Sequence, residues 1–213
     1  GSEMCIRDSG EMIDKLCPIH PMTIRLLSRV AESFAAAQRT MFRFMKDQSN
    51  SDIGFVGYIN HYGPDDEARW LTPEWLWDYF FTRESDFSDK DTKVAPYIQH
   101  YEESLHLVES DEDALRLFKI VMLLLAVSST TKGAYGVRHM QGGIAATLDC
   151  LENCVAGVLS KDKVRDLLAT LEESKLVLQD QAANGTIRLQ LPFKGGSGDA
   201  FLSLIHISEP TRL

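Results

Sequence analysis

Residues 160–191 read SKDKVRDLLATLEESKLVLQDQAANGTIRLQL. Ser160 has the short oxygen-bearing side chain that caps a helix start, and a helix over 161–175 is expected behind it. The apolar period then shortens from helical to alternating: Leu176 and Leu178 share one face, as do Ile187, Leu189 and Leu191. Asn184-Gly185 lies between these two runs, and that dipeptide is the strongest short-range signal for a hairpin turn. A helix followed by a two-stranded hairpin is therefore predicted.

Upstream of this stretch, a helix is expected from Ile144 to about Val158. Before it, Thr130 to Gly143 holds Gly133, Gly136, Gly142 and Gly143 and reads as a loop. Earlier still, Ser110 with Asp113 suggests a capping box that opens a helix through about Ser128. Its run Ile120 to Val127 is apolar on most sides, so this helix should be the central, most buried element. Three helices and a hairpin in that order are the parts of a winged-helix lobe, assigned to residues 110–193. Residues 194–201 read as a Gly-rich linker.

The first lobe, residues 10–109, also reads as helical. From Met22 to Met45 the positions Leu27, Val30, Phe34, Met41 and Met45, widened by Ile24, Leu26 and Phe42, predict one long amphipathic helix. Pro21 suits its first position, where a missing N–H costs little. Gly54 to Pro64 contains Gly57, Asn60 and Gly63 and is expected to be a loop. Thr72, Pro73 and Glu74 look like an N-cap, a first-turn proline and an acid complementing the helix dipole, opening a helix through Phe81. Its stripe of Trp75, Leu76, Tyr79 and Phe80 reads as core. A polar amphipathic helix is expected over Tyr97 to Glu109. The fold class is thus mainly α, two lobes with one small β-hairpin.

Residues 2–9, SEMCIRDS, and 202–213, LSLIHISEPTRL, closely resemble translated sequencing-adapter strings. Residues 1–9 and 202–213 are accordingly left out of the fold reading. That exclusion removes Cys5 and His206 from any site and leads us to expect that the natural protein continues on both sides.

Composition narrows the classes further. Of 213 residues 44% are hydrophobic and 25% charged, ordinary values for a folding chain. The net charge of -9 sets the global field against polyanions, so nucleic-acid contact would require a local basic patch. The eight-residue run Ile120 to Val127 is far short of the ~20 residues of a bilayer span, and no signal peptide is seen. Cys5, Cys17, Cys150 and Cys154 show neither a secreted disulfide pattern nor a CxxC pair, which fits a reducing, cytoplasmic setting without membrane contact.

A search for chemistry yields no catalytic residue. No phosphate-binding glycine motif occurs, and Gly195-Gly196-Ser197-Gly198 lacks the lysine and the flanking elements that a phosphate cradle needs. His20, His61, His100, His106 and His139 share no metal-ligand spacing. Cys150 and Cys154 lie one helical turn apart, and buried cysteines acting as small hydrophobes are the preferred reading. No metal site is expected. In the helix over 161–175, Lys161, Lys163, Arg165 and Lys175 are balanced by Asp162, Asp166, Glu172 and Glu173. DNA-reading helices carry net positive charge, so protein packing is favoured over DNA binding.

The stretch Cys17-Pro-Ile-His-Pro-Met-Thr-Ile-Arg-Leu-Leu-Ser-Arg29, then Ala37-Gln-Arg-Thr-Met-Phe-Arg-Phe-Met45, resembles the segment just after the nucleotide-binding core of large P-loop ATPases (AAA/STAND-like) of bacterial anti-phage defence islands. Leu71-Thr-Pro-Glu-Trp-Leu-Trp-Asp-Tyr-Phe80 is similar to a later stretch of the same proteins, and the likeness spans most of residues 15–190. It implies a helical lid over 10–109 followed by the winged helix, the whole coupling nucleotide state to a partner surface. The chain itself would be non-catalytic and hold no cofactor. ATP, Mg and the Walker motifs would belong to an upstream core of the parent protein, and other proteins would be the partners. The resemblance makes Arg39 the candidate phosphate-sensing arginine, although Ala36-Ala37-Gln38 replaces the family's asparagine-glutamate pair, and a helix-face arginine that merely snorkels accounts for Arg39 as well. The alternatives are a winged-helix DNA-binding transcriptional regulator with a helical sensor domain, and a helical protein-binding adaptor.

Overall fold

The computed structural model describes residues 18–34, 37–48, 52–62, 70–81, 93–130 and 144–192, without the side chains of 33, 34, 37–40 and 130. The expected terminal strings, the linker over 194–201 and all but the first residue of the Thr130 to Gly143 loop lie outside the described residues. Within them the chain is mainly helical, with one two-stranded antiparallel sheet.

In chain order the helices are α1 Pro21–Phe34, α2 Ala37–Lys46, α3 Gly54–His61, α4 Glu74–Phe80, α5 Ala95–Ser104, α6 Glu112–Thr130, α7 Leu148–Cys154 and α8 Lys161–Glu173, with a 3-10 turn at Leu105–Leu107. The strands are β1 Leu178–Gln181 and β2 Ile187–Gln190. The sheet register runs from Leu178 opposite Gln190 to Gln181 opposite Ile187.

Helix α6 is the axis of the molecule, as its apolar run predicts. Every residue from Ile120 to Val127 is at most 8% exposed, because α1, α4, α5, α7, α8 and β2 all pack against this helix. Its cap differs from the expected one. Asp111, not Ser110, closes the N-terminus, its Oδ1 accepting from the backbone N–H of Asp113 at 2.9 Å and of Ala114 at 3.0 Å.

The single long helix expected over Met22 to Met45 is two helices, α1 and α2, which pack against each other. An unbroken helix would place Met41 about three turns above Val30 on the same face. Val30 is instead fully buried while Met41 is 36% and Phe42 62% exposed, and Phe44 of α2 enters the core. The expected loop at Gly54 to Pro64 is corrected likewise, since Gly54–His61 is helical. Gly57 does not break this helix. A Cβ there would lie 2.5 Å from the Asp52 carbonyl carbon, so glycine permits a close backbone approach.

Helix α4 begins behind Pro73, and Thr72 does not cap it: the Thr72 hydroxyl donates to Glu74 Oε1 at 2.5 Å. The aromatic stripe is core, with Leu76 and Phe80 buried and Trp75 and Tyr79 packed at its edge. Trp77, fully buried, stacks on Phe81.

The expected helix from Ile144 to Val158 is confined to α7. Thr147 takes extended backbone and accepts the Cys150 N–H on its hydroxyl, which stops the helix from starting earlier. The freed segment pairs with the hairpin: Leu189 N–H donates to Ala146 O at 2.8 Å, and Thr147 bridges Arg188 antiparallel. Ser160 caps α8 as predicted, accepting from Lys163 N–H. At the other end Lys175 adopts φ 56, with Leu176 N–H bonded to Leu171 O and Lys175 N–H to Glu172 O. This left-handed closure costs about 1–2 kcal/mol in a residue other than glycine. It turns Leu176 and Val177 into the core. Gly185, at φ 82, supplies the hairpin turn.

Candidate functional site

Two helix starts meet in space. The first turn of α4 holds Glu74 and that of α6 holds Glu112 and Asp113, with Asp111 as the cap. Acids suit helix N-termini, where they complement the partial positive charge of free N–H groups. One turn into α6, Arg116 reaches all three acids, with Nε to Glu74 at 3.2 Å, Nη2 to Glu112 at 2.9 Å and Nη1 to Asp113 at 2.8 Å.

Glu74 is 8% exposed. Burial pushes its carboxyl pKa up, against the opposing pull of Thr72 and Arg116. Burial alone would push the Arg116 guanidinium down, but the carboxylates, Glu74 foremost, hold it up. Oε1 of Glu74 accepts from both Thr72 and Arg116, while Oε2 is buried with no hydrogen-bond partner. These groups form one side of an open cleft of about 370 Å³. Tyr62, Trp70 and Trp75 supply aromatic surface, and Gly157 and Val158 beyond α7 complete the wall.

The individually considered histidines do not converge there. His20 is buried and accepts the Met22 N–H on Nδ1, so Nε2 donates to Ala156 O at 3.1 Å. Burial lowers its pKa, opposed by that carbonyl. His100 Nε2 bonds Leu176 O at 2.8 Å, and His61 and His106 are exposed. His139 and His206 lie outside the described residues, as do Cys5 and Cys17. Among the described residues no three or more His, Cys, Asp or Glu side chains gather as metal ligands.

Cys150 and Cys154 are both buried free thiols. The Cys154 thiol, as hydrogen-bond partner, does most to bring Cys150 down to about 7, and the same bond with burial drives Cys154 up. Arg39 lies in α2, with its side chain outside the described residues.

On α8, Lys161 Nζ lies 3.2 Å and Arg165 Nε 2.9 Å from opposite oxygens of Glu152, whose side chain is only 3% exposed. Sequence reasoning missed both Glu152 and Glu74. Glu152 sits among the core residues of α7 with no local mark of its pairing. Glu74 meets Arg116 from 42 positions away. Only the unbalanced acids around Arg116 hinted at a shared partner.

Compared with family models, with curated proteins and with solved structures, the chain matches none.

Proposed function

We propose that this chain is a non-catalytic coupling module, a helical lid followed by a winged helix, which in a larger P-loop ATPase passes nucleotide state to a protein partner. One observation carries the choice of protein over DNA. Two of the cations that a DNA-reading α8 would offer to phosphates, Lys161 and Arg165, are held by the buried carboxylate of Glu152. Freeing them for phosphate would strand a charge in the interior, which is costly. The winged-helix part is supported by the extended segment before α7, which meets β2 through one isolated antiparallel bridge, Thr147 to Arg188, and the bond from Leu189 N–H to Ala146 O. The sequence likeness supports the ATPase part, with Arg39 as the proposed nucleotide-sensing residue and ATP and Mg as ligands of the upstream core.

The test is duplex binding by fluorescence anisotropy at physiological ionic strength. Specific readers bind at about 10⁻⁸ to 10⁻¹¹ M with a steep salt dependence. No salt-sensitive binding is expected at micromolar protein, and replacing Lys161, Lys163 and Arg165 together by Ala should change nothing in that assay. Tight binding abolished by the triple change would overturn the module reading in favour of a DNA-binding regulator.

A further inference from the structure

We propose that Cys150 and Cys154 are a hydroperoxide-oxidised pair that closes reversibly to a disulfide and, in closing, opens the last turn of α7. The inference stands apart from the coupling-module reading and requires neither a nucleotide nor a partner.

The two cysteines are four residues apart on one helix, so their side chains lie on the same face, one turn from each other. Both are free, and their thiols are hydrogen-bonded to each other. That bond makes the pair unequal. With Cys154 as partner, assisted by the Ala145 backbone and the charge of Arg25 and opposed by burial, Cys150 comes down to about 7, whereas the same bond and burial drive Cys154 up. Cys150 thus supplies a thiolate near neutrality and Cys154 keeps its proton. Cys150 also retains 8% of its surface while Cys154 retains none, so a small oxidant meets Cys150 first. No third ligand joins the pair among the described residues, which leaves redox chemistry rather than a metal as its use.

The thiolate of Cys150 attacks the terminal peroxide oxygen. An S–O bond forms, the O–O bond breaks, and the hydroperoxide is reduced to its alcohol, or to water from hydrogen peroxide, as the sulfur becomes a sulfenic acid. The Cys154 sulfur then attacks the Cys150 sulfur, forming S–S and breaking S–O, and the departing hydroxide takes the Cys154 proton as water. Helix geometry sets the structural consequence. Side chains four apart have Cβ atoms about 5–6 Å apart, whereas a disulfide needs about 3.5–4.5 Å. The helix must give, and Cys154 is its last residue, with Val155 already outside helical geometry. Such a strained bond is readily reduced again. The opened turn reaches two neighbours: Glu152, between the cysteines, holds Lys161 and Arg165 of α8, and the Ala156 carbonyl holds His20 before α1.

The test treats the reduced, folded full chain with hydrogen peroxide and maps its tryptic peptides. The peptide from His139 to Lys161 contains both cysteines and no other. It should lose two hydrogens, resist alkylation, and recover both thiols with dithiothreitol. Amide exchange over α7 should rise several-fold in the oxidised chain and return on reduction. In Cys154→Ala the oxidation should stop at a Cys150 sulfenic acid that dimedone traps. The wild-type measurements stand by themselves should that variant not fold. Thiols that persist while glutathione in the same tube is oxidised would overturn the proposal. So would a stable sulfenic or sulfinic acid in the unaltered chain, a bond from either cysteine to Cys5 or Cys17, which would link two peptides, or unchanged α7 exchange after the disulfide has formed.

Discussion

Replacing Arg116 by Met removes the guanidinium while keeping most of the side-chain stem, and so isolates its charge. Arg116 is 16% exposed at its side chain and Glu74 11%, so this is an interior pair. Breaking a fully buried pair from one side costs about 3–5 kcal/mol, because the remaining charge is left uncompensated. The residual solvent access here lowers that to about 2–4 kcal/mol. The bonds to Glu112 and Asp113, whose side chains are 75% and 34% exposed, add only a few tenths. For a chain of this size the loss corresponds to a Tm lower by roughly 5–12 °C near neutrality.

The pH dependence is the sharper part of this prediction. Glu74 has a folded pKa raised above 4.5, so the fold binds its proton more tightly than the unfolded chain does. The resulting stabilisation is complete below 4.5 and disappears as pH rises through the folded value. Thr72 and Arg116 both hold that value down, and Cys154 is the further titratable group coupled to Glu74. Without Arg116 the folded value rises further. The variant should therefore differ least from the parent near pH 4.5 and increasingly above it. Urea denaturation at about pH 4.5 and about pH 7.5 measures this, and adding Glu74→Gln to Arg116→Met should restore more than half of the loss at the higher pH. An equal loss at both pH values, or no rescue in the double variant, would refute the electrostatic reasoning and leave side-chain packing as the cause.

Gly57→Ala should destabilise the protein by about 1–3 kcal/mol, although alanine is normally the better helix former by ~1 kcal/mol, because the added methyl collides with backbone. A higher Tm in that variant would mean that the approach of Asp52 is easily relaxed. Brief treatment with iodoacetamide followed by peptide mapping should place the adduct on Cys150 before Cys154, given a thiol near 7 that is 8% exposed beside a fully buried partner pushed upward. The reverse order would contradict the assigned direction of the thiol hydrogen bond.

What could be read from the residues divides along physical lines. The hairpin was legible because Asn184-Gly185 is a local turn signal, and α6 because its apolar run exceeds any other in the chain. The helix starting at Gly54 was not legible, since a glycine required for close packing looks like a glycine that breaks a helix. Residues 144–147 read as helix because their apolar character suits either state, and the decision belongs to the Thr147 hydroxyl and the distant β2 strand. Glu74 followed a correct local rule, an acid in a first turn, yet its burial depends on Arg116 far along the chain. The cleft was therefore hidden for the same reason as the bridge from Thr147 to Arg188: both arise from long-range pairing.

An ordinary surface helix keeps half its positions for solvent, and those positions can change with little penalty. From Ile120 to Val127 helix α6 has none to spare, each of its eight side chains being covered. Adding a methylene there strains the neighbours and removing one leaves a void, each at a cost of about a kcal/mol or more. Under random substitution this octet should be the least permissive stretch of the chain. Tolerated substitutions would then fall to the exposed faces of α2 and α8, with the α6 axis nearly invariant.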